Sequence, residues 1–276
     1  MNTQATQSLL STPTRKRNKV VSAVDAVRLI HDGDAVAVGG FVGGGVPEAL
    51  LVALEKQFLV TGKPRNLTLI YAAGQGDGGE RGLNHLALEG LIGRVIGGHW
   101  GLTPKLGKLA LENRIQAYNL PLGVIAQWFR DIAARKPGTL SSVGLGTFVD
   151  PRFGGGKVNA ITTEDLVELI DIGGREYLFY KALPIKVAIL RGTTADTDGN
   201  VTMEKEALLL DGLASATAAH NCGGIVIVQV ERVAEEGTLN PKNVTIPGLT
   251  GRLHRRGGAG RPLADVRGTL QSIVQR

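Results

Sequence analysis

The stretch from Asp34 to Leu50, which reads DAVAVGGFVGGGVPEAL, constrains the fold more than any other part of the chain. It begins with an apolar segment that is typical of a buried strand, continues through five glycines, and resumes at Pro47 with helical apolar spacing. Proline fits the first turn of a helix, because its missing N–H would have no helical acceptor there. The stretch therefore predicts a strand, a glycine loop and a helix in succession, which is the building unit of an α/β fold.

The predicted glycine loop is suited to binding an anionic or oxyanionic group. Glycines leave backbone N–H groups uncovered, and the positive end of the following helix dipole lies behind them. A glycine turn that only packs the helix against the sheet is the alternative interpretation. The residues of this loop that we expect to line a binding cleft are Gly39, Gly40, Phe41, Gly43, Gly44, Gly45 and Pro47.

The spacing of these glycines disfavours a nucleotide-binding fingerprint. A dinucleotide loop reads G-x-G-x-x-G, and residues 40–45 only approximate that pattern, with Phe41 where a phosphate would need a small residue. No acidic residue ends a second strand about 20 residues further on, where a ribose partner is required. The Gly-Lys-Ser/Thr of a Walker A loop is also missing from this stretch.

A second glycine loop follows the next predicted strand, at Asn66–Ala72. It runs from Gly74 to Gly79, and Gln75 and Gly76 are its candidate ligand-binding residues. Because parallel strands carry their loops at the same carboxyl edge of a sheet, we expect the two glycine loops to form two walls of one cleft. Gln75 offers a neutral donor for a carbonyl oxygen, and a solvated loop residue is the alternative for it.

Apolar periodicity predicts strands and helices in alternation along the chain. The predicted strands are at 35–38, 66–72, 91–97, 176–180, 186–191 and 224–231, with a short extended piece at 243–247. The predicted helices begin at a Ser22-x-x-Asp25 capping box and then lie at 47–60, 104–113, 122–135 and 204–219. Such alternation over 276 residues predicts an α/β fold with a largely parallel sheet.

The net charge of +6 does not indicate a nucleic-acid partner. The first 20 residues carry +4 and residues 251–276 carry +5, which leaves −3 on the residues between them. A nucleic-acid-binding protein needs a basic stripe on its folded face, and aromatic residues for base stacking make up only 4% of the chain. We therefore expect no nucleic-acid partner.

The single cysteine, Cys222, excludes an intramolecular disulfide and a metal site built from cysteines. We expect no metal site in this chain. No apolar run approaches the length of a membrane span, so we expect no membrane partner. Residues 1–20 are basic and lack a following apolar segment, so they are interpreted as a disordered leader, and the cytoplasm is the expected location.

The composition changes after Leu249. Residues 250–276 are rich in arginine and glycine, and a short helix near Leu263 to Val274 is the one element that they suggest. We interpret this segment as an unrelated or disordered tail.

Several ordered motifs extend over nearly all of residues 20–248. They are Gly39-Gly40-Phe41 with Gly45-x-Pro47-Glu48-x-Leu50, Ala73-Gly74-Gln75-Gly76-Asp77-Gly78, Gly98-His99-x-Gly101-Leu102-x-Pro104, Ala117-Tyr118-Asn119-Leu120-Pro121, Val143-Gly144-x-Gly146-Thr147-Phe148-x-Asp150-Pro151 and Thr193-x-Ala195-Asp196-x-x-Gly199-Asn200. With these motifs the chain resembles the N-terminal (alpha) half of a family I coenzyme A transferase. Within that family it is most similar to the single-chain short-chain acyl (acetate or propionate) CoA-transferases.

The resemblance implies a three-layer α/β/α domain with a mostly parallel sheet, the CoA-transferase (NagB/RpiA-like) fold, over residues 21–249. It also implies a ping-pong reaction in which a glutamate attacks an acyl-CoA and forms first a mixed anhydride and then a glutamyl-CoA thioester. Backbone amides would stabilise the oxyanion. The implied partners are an acyl-CoA, a short-chain carboxylate and further copies of the chain in a homo-oligomer, with coenzyme A as substrate and no cofactor.

The chain also departs from the pattern of that family. Single-chain members are about twice as long, and their nucleophilic glutamate lies in a second domain within a Glu-x-Gly motif. Glu235-Glu236-Gly237 lacks that context, so we assign no catalytic residue here. A truncation or a shifted reading frame would give this pattern, and we expect the chain to be inactive without a separate second domain or subunit. The alternatives are a non-catalytic binding or assembly module and, by analogy of fold, a sugar-phosphate isomerase or hydrolase.

Overall fold

The computed structural model describes residues 19–248 and 271–275. Within these ranges the α-helices are α1 Ala23–Val27, α2 Glu48–Thr61, α3 Pro104–Leu111, α4 Leu122–Ala133 and α5 Gly212–Asn221. The first strands are β1 Val20–Val21, β2 Ala35–Val38, β3 Leu67–Tyr71, β4 Ile92–Gly97, β5 Gln116–Asn119, β6 Gly138–Ser141, β7 Val167–Ile172 and β8 Arg175–Lys181. They are followed by β9 Val187–Arg191, β10 Thr194–Asp196, β11 Val201–Thr202, β12 Ile225–Val230, β13 Arg232–Ala234, β14 Val244–Ile246 and β15 Gln271–Gln275.

The central sheet has eight strands in the order β1-β15-β12-β9-β2-β3-β4-β5. The strands from β12 to β5 run parallel to one another, and β15 and β1 add an antiparallel edge. A three-stranded antiparallel sheet, β6-β8-β7, and a four-stranded sheet, β13-β10-β11-β14, lie beside it. The predicted mostly parallel sheet is confirmed.

Helices cover the central sheet on both faces and create two buried cores. One core includes Trp128 of α4 and Ala219 of α5. The other includes Val27 of α1, Leu54 of α2 and Leu106 of α3. Because strands buried on both faces need apolar side chains in both directions, β2, β3 and β9 are nearly continuous apolar runs. The three-layer α/β/α arrangement is thereby confirmed.

The capping box at Ser22 forms as predicted, since the Ser22 hydroxyl accepts the N–H of Asp25 at 3.1 Å. The predicted helix at 204–219 is wrong in its first half, because α5 begins only at Gly212. Leu210 just before it has a φ of 49°, which a helix does not allow. Further strands that the sequence analysis did not predict are short or carry charged side chains: β1, β5, β6, β7, β10, β11 and β13.

The C-terminal segment enters the fold where we expected a tail. Gln271–Gln275 is a strand between β12 and β1, so a helix extending to Val274 is wrong at that end. Ile273 is fully buried and Val274 nearly so. Adjacent apolar residues suit a strand that is covered on both faces, whereas the spacing of the preceding leucines favoured a helix. The rest of the predicted tail and most of the predicted leader lie outside the described residues.

Among residues 19–248 and 271–275, no helix combines the length and the apolar character that crossing a bilayer requires.

Candidate functional site

The two glycine loops lie side by side at the carboxyl edge of the sheet. Their strands, β2 and β3, are parallel neighbours. Beyond the strands, Val42 of the first loop donates its N–H to the carbonyl of Gly74 at 2.8 Å, and its own carbonyl accepts the N–H of Gly76 at 2.8 Å. The two loops lie at one edge of the sheet, as predicted, but they form one continuous wall and not the two walls of a cleft that the sequence predicted.

Several backbone amides of the first loop are unused. Among the described residues, the N–H groups of Gly40, Gly43 and Gly45 donate to no acceptor. Val42 between them has a φ of 54°, a conformation that costs a β-branched residue about 1–3 kcal/mol. The pairing of the two loops holds the chain in this conformation, and free amides remain on either side of Val42.

Gln75 is enclosed between the two loops, with only 1% of its surface exposed. Its Nε2 donates to the carbonyl of Val38 at 2.8 Å, and its Oε1 has no partner among the described residues. Gly40 packs directly on this amide, since a Cβ there would lie 2.8 Å from Oε1. In this structure Gln75 joins the second loop to β2, and a role for it in holding a substrate carbonyl stays a prediction.

The N-terminus of α2 differs from the open anion site that the sequence suggested. The N–H of Glu48 donates to Val46 at 2.9 Å, and that of Ala49 donates to Oε1 of the buried Gln229 at 2.8 Å. The next two N–H groups donate to the carbonyl of Pro47. Because the first turn of the helix is satisfied internally, an oxyanion at this edge would meet the loop amides.

A histidine between two glutamates joins α2 to the segment after the second loop. His85 Nδ1 lies 2.7 Å from Glu55 Oε2, and His85 Nε2 lies 3.1 Å from Glu48 Oε1. The other oxygen of Glu48 accepts the N–H of Gly82 at 2.9 Å. Both ring contacts are hydrogen bonds when each nitrogen carries a proton. The carboxylate of Glu48, at the start of α2, is therefore held in a structural contact.

A cavity of about 150 Å³ opens beside the first loop. Its walls come from the end of β2 and the first loop, from the two residues after β3, from α4 and from the residues around the start of α5. The lining residues are Val38, Gly39, Gly40, Phe41, Ala72, Ala73, Leu122, Phe129, Leu210, Asp211 and Ser215. Of the residues predicted for the cleft, Gly39, Gly40 and Phe41 lie in this lining, and Gly45 faces a small adjoining depression. Gly43, Gly44, Pro47, Gln75 and Gly76 lie in the same two loops but outside the lining.

Sequence reasoning missed the α4 and α5 side of the cavity. Two features of the sequence could have indicated this side. One is the run of three leucines, Leu208–Leu210, before an Asp-Gly pair, and the other is the apolar helix α4, which begins shortly after β5. All three leucines are at least 37% exposed. Exposed apolar residues in a row indicate a surface that another molecule covers.

A network of hydrogen bonds and ion pairs fixes the residues just before Leu208–Leu210. Glu204 accepts hydroxyl hydrogen bonds from Thr194 at 2.5 Å and Thr202 at 2.6 Å. Burial raises the pKa of Glu204, but these bonds and the Arg232 guanidinium outweigh it and lower the pKa to about 2. Arg191, at the end of β9, binds Glu206 at 2.9 Å. These contacts replace the first turns of the predicted helix.

Comparison with protein families shows that residues 20–251 match the model described as coenzyme A transferase. The chain is 50% identical over 230 residues to the caffeate CoA-transferase of Acetobacterium woodii, covering 83% of this chain and 44% of that protein. It is 47% identical over 234 residues to the acetate CoA-transferase YdiF of Escherichia coli K12, covering 84% of this chain and 44% of that protein. The chain thus spans less than half the length of these relatives.

A more distant relative is matched over nearly its whole length. The acetate CoA-transferase subunit alpha of Escherichia coli K12 is 28% identical over 232 residues, covering 84% of this chain and 94% of that subunit. Among solved structures, the thioester complex with CoA of the acyl-CoA transferase YdiF from E. coli O157:H7 is similar, with a TM-score of 0.82 and 45% identity. The match covers 85% of this chain and 46% of that chain.

Proposed function

Because the chain belongs to the coenzyme A transferase family, we propose that it takes part in moving coenzyme A between a short-chain acyl-CoA and a free carboxylate of the acetate or propionate type. The observation that carries this proposal is the wall formed by the two glycine loops, with the unused amides of Gly40, Gly43 and Gly45 beside an apolar cavity. Amides fixed in this way are suited to a thioester carbonyl whose oxygen becomes negative during the reaction.

The chemistry needs a carboxylate nucleophile, and we propose that a second domain or subunit supplies it. Two observations support this. The chain spans 44% of the two relatives with the highest identity given above, and it spans 94% of a relative that is named as an alpha subunit. Within the described residues, Glu48 is held by His85 and Gly82, and Glu235 and Glu236 are outside the lining of the cavity. We therefore assign no catalytic residue to this chain.

In the proposed reaction a glutamate oxygen of the partner attacks the thioester carbon, and the C–S bond breaks to release the coenzyme A thiolate. The thiolate then attacks the glutamyl carbonyl of the mixed anhydride, which releases the first acid as its carboxylate and leaves a glutamyl-CoA thioester. The second carboxylate reverses these two steps and leaves as the new acyl-CoA. At each attack the carbonyl oxygen gains charge, and the loop amides donate hydrogen bonds to it.

The test is exchange of labelled acetate or propionate into the acyl-CoA pool. We expect no exchange by the full chain alone and measurable exchange when it is mixed with the separately produced second domain of a full-length relative. If the chain and the second domain associate but show no exchange, the proposed transferase activity is contradicted, and a binding or assembly module is favoured. Exchange by the chain alone that is lost in Glu235→Gln or Glu236→Gln would contradict the need for a partner.

We also propose that the complete enzyme is a homo-oligomer in the cytoplasm, with coenzyme A as its substrate and no further cofactor. The apolar residues exposed near the cavity mouth, Phe41, Val42 and Leu208–Leu210, support a covered surface at this edge. The oligomeric state of the reconstituted protein, measured by light scattering, tests the assembly.

A further inference from the structure

Glu48 links the helix after the first glycine loop to the segment after the second loop. It is the first residue of α2, which follows the first loop at Pro47. Its Oε2 accepts the main-chain N–H of Gly82 at 2.9 Å. Gly82 begins the short 3₁₀ helix Gly82–Leu86, which comes after the second loop in the chain. One carboxylate thus joins the two chain segments that leave the glycine loops.

Gly82 packs directly on the second loop. A Cβ at Gly82 would lie 2.7 Å from the carbonyl oxygen of Gln75 and 2.7 Å from the Cα of Gly76. The N–H of Leu83 donates to the same Gln75 carbonyl at 3.4 Å. Gly76 donates its own N–H to the carbonyl of Val42 in the first loop at 2.8 Å. The position of Gly82 therefore bears on the second loop and, through Val42, on the first.

His85 holds the Glu48 carboxylate in place. Its Nε2 lies 3.1 Å from Glu48 Oε1, and its Nδ1 lies 2.7 Å from Glu55 Oε2. The His85 side chain is 17% exposed, so water has little access to either contact. An imidazole donates from both nitrogens only when each carries a proton, which is its charged form. The ring therefore binds both carboxylates only as an imidazolium.

Loss of one proton from the ring releases one of the two carboxylates. A neutral imidazole keeps one N–H, and its other nitrogen presents a lone pair to which a carboxylate cannot donate. The contact to Glu48 is the longer of the two, so we expect the neutral ring to keep its N–H toward Glu55. Among the described residues, the Glu48 carboxylate then retains only the N–H of Gly82. Histidine is the side chain that ordinarily changes charge near neutral pH, so the contact of His85 with Glu48 depends on pH.

No other cation takes over this role in the described part of the chain. The charged residues of the two helices that pack against residues 82–86 are Glu48, Glu55 and Lys56 of α2 and Lys105 and Lys108 of α3. The two α3 lysines are paired with Glu80 and Glu112. Neither Glu48 nor Glu55 is paired there with a lysine or an arginine, so His85 is the cation that they share.

Resting on the proposed acyl-CoA chemistry, we infer that His85 is a positioning residue, which as an imidazolium holds Glu48 against Gly82 and so fixes the second glycine loop beside the amides of the first. His85 lies outside the cavity lining, so it acts through Glu48 and not on the substrate. The wall that would bind the oxyanion is fully assembled only while His85 is charged.

The test follows main-chain amides of the full chain by NMR while His85 is titrated. The ring protons of His85 report its charge, and the cross-peaks of Val42 and Gly76 report the pairing of the two loops. We expect these cross-peaks to shift with the same midpoint as the ring. We also expect the hydrogen-exchange protection of Val42 and Gly76 to be at least tenfold lower when the ring is neutral. A response of Gly82 alone, with Val42 and Gly76 unchanged, would overturn the inference.

Glu55→Gln separates the charge of the ring from its contact with Glu48. A glutamine amide donates to Nδ1 of the neutral ring and accepts from Nδ1 of the charged ring, so Nε2 keeps its proton toward Glu48 in both states. We expect the His85 ring of this variant to titrate while the cross-peaks of Val42 and Gly76 stay in place. The same response as in the original protein would overturn the inference.

His31→Gln is the matched control, because the His31 side chain is 78% exposed. It should keep the response of Val42 and Gly76 to pH. Loss of that response in His31→Gln would assign the effect to the wrong histidine and overturn the inference.

The reconstituted pair separates this inference from the proposed function. Where exchange occurs, His85→Gln should lower kcat at least tenfold and change KM less than twofold, because the loop amides act on the charge that develops in the transition state. An unchanged kcat would overturn the inference. Coupled titration of His85 and the loops in the chain, together with no exchange in the reconstituted pair, would sustain the coupling and reject the transferase.

Discussion

Gln75 donates its side-chain Nε2 to the main-chain carbonyl of Val38 at 2.8 Å, so the second glycine loop is attached to the last residue of β2. The Gln75 amide packs against the backbone of Gly40. The two main-chain hydrogen bonds of Val42, to Gly74 and from Gly76, join the loops at a second place. The two contacts fix the loops relative to each other without any ligand. The free amides are therefore held in place without a ligand, which is the condition that the proposed oxyanion stabilisation requires.

Gly40→Ala should weaken this arrangement. The new Cβ would lie 2.8 Å from Gln75 Oε1, and Gly40 has a φ of 145°, which alanine rarely adopts. We expect a loss of about 1–3 kcal/mol in the free energy of unfolding, measured by urea denaturation. Gly43→Ala is the matched control, because a Cβ at Gly43 meets no atom within 4 Å. A Gly40→Ala protein as stable as the Gly43→Ala protein would show that the two loops are not packed as described.

His85→Ala should also destabilise the protein. It leaves Glu48 and Glu55, with side chains 35% and 28% exposed, facing each other across the space that the imidazole fills. We expect a loss of about 1–3 kcal/mol in the free energy of unfolding, because two partly buried carboxylates lose the imidazole that both of them contact. The control is His31→Ala, since the His31 side chain is 78% exposed and lies 3.7 Å from Asp34. Equal stability of the two variants would contradict a structural role for His85.

The lowered pKa of Glu204 predicts a specific dependence of the free energy of unfolding on pH. Its pKa is lowered from 4.5 to about 2 in the folded protein, so the folded state binds the proton less well than the unfolded chain. The contribution of Glu204 is therefore complete above pH 4.5 and is lost as the pH falls from 4.5 toward 2. We expect Glu204→Gln to lower the urea midpoint at pH 6, and the difference from the original protein to shrink steadily toward pH 3. A difference that stays constant with pH would contradict the contacts of Glu204.

The sequence predicted the position of the two glycine loops, because that position follows from the order of strands and loops along the chain. Parallel neighbours β2 and β3 must present their loops at one edge, so the shared position of Gly40 and Gln75 followed from two strand predictions. The cavity depends instead on how α4 and α5 pack over that edge. Phe129 has the same helical spacing as other core residues, and nothing in that spacing distinguishes a cavity wall from a filled core.

Two secondary-structure predictions were wrong because contacts between residues distant in sequence override the local preference for a helix. Glu204 begins a segment with helical apolar spacing, yet hydroxyls from Thr194 and Thr202 bind its carboxylate and the segment stays irregular. The C-terminal strand was missed for the same reason. A strand with two adjacent apolar residues is recognised only by its neighbours in the sheet, and these neighbours, β1 and β12, lie far from it in sequence.

The placement of that strand gives the last prediction. Ile273 is fully buried, and in the sheet it pairs with Val228 of β12 and Val20 of β1. If Gln271–Gln275 is part of the core, Ile273→Ala removes buried methyl groups and should cost about 2–5 kcal/mol of the free energy of unfolding. The same substitution at Ile172, which is 50% exposed on β7, should cost much less. Equal effects of the two substitutions in urea denaturation would mean that the C-terminal segment contributes nothing to the fold, as an unrelated tail would.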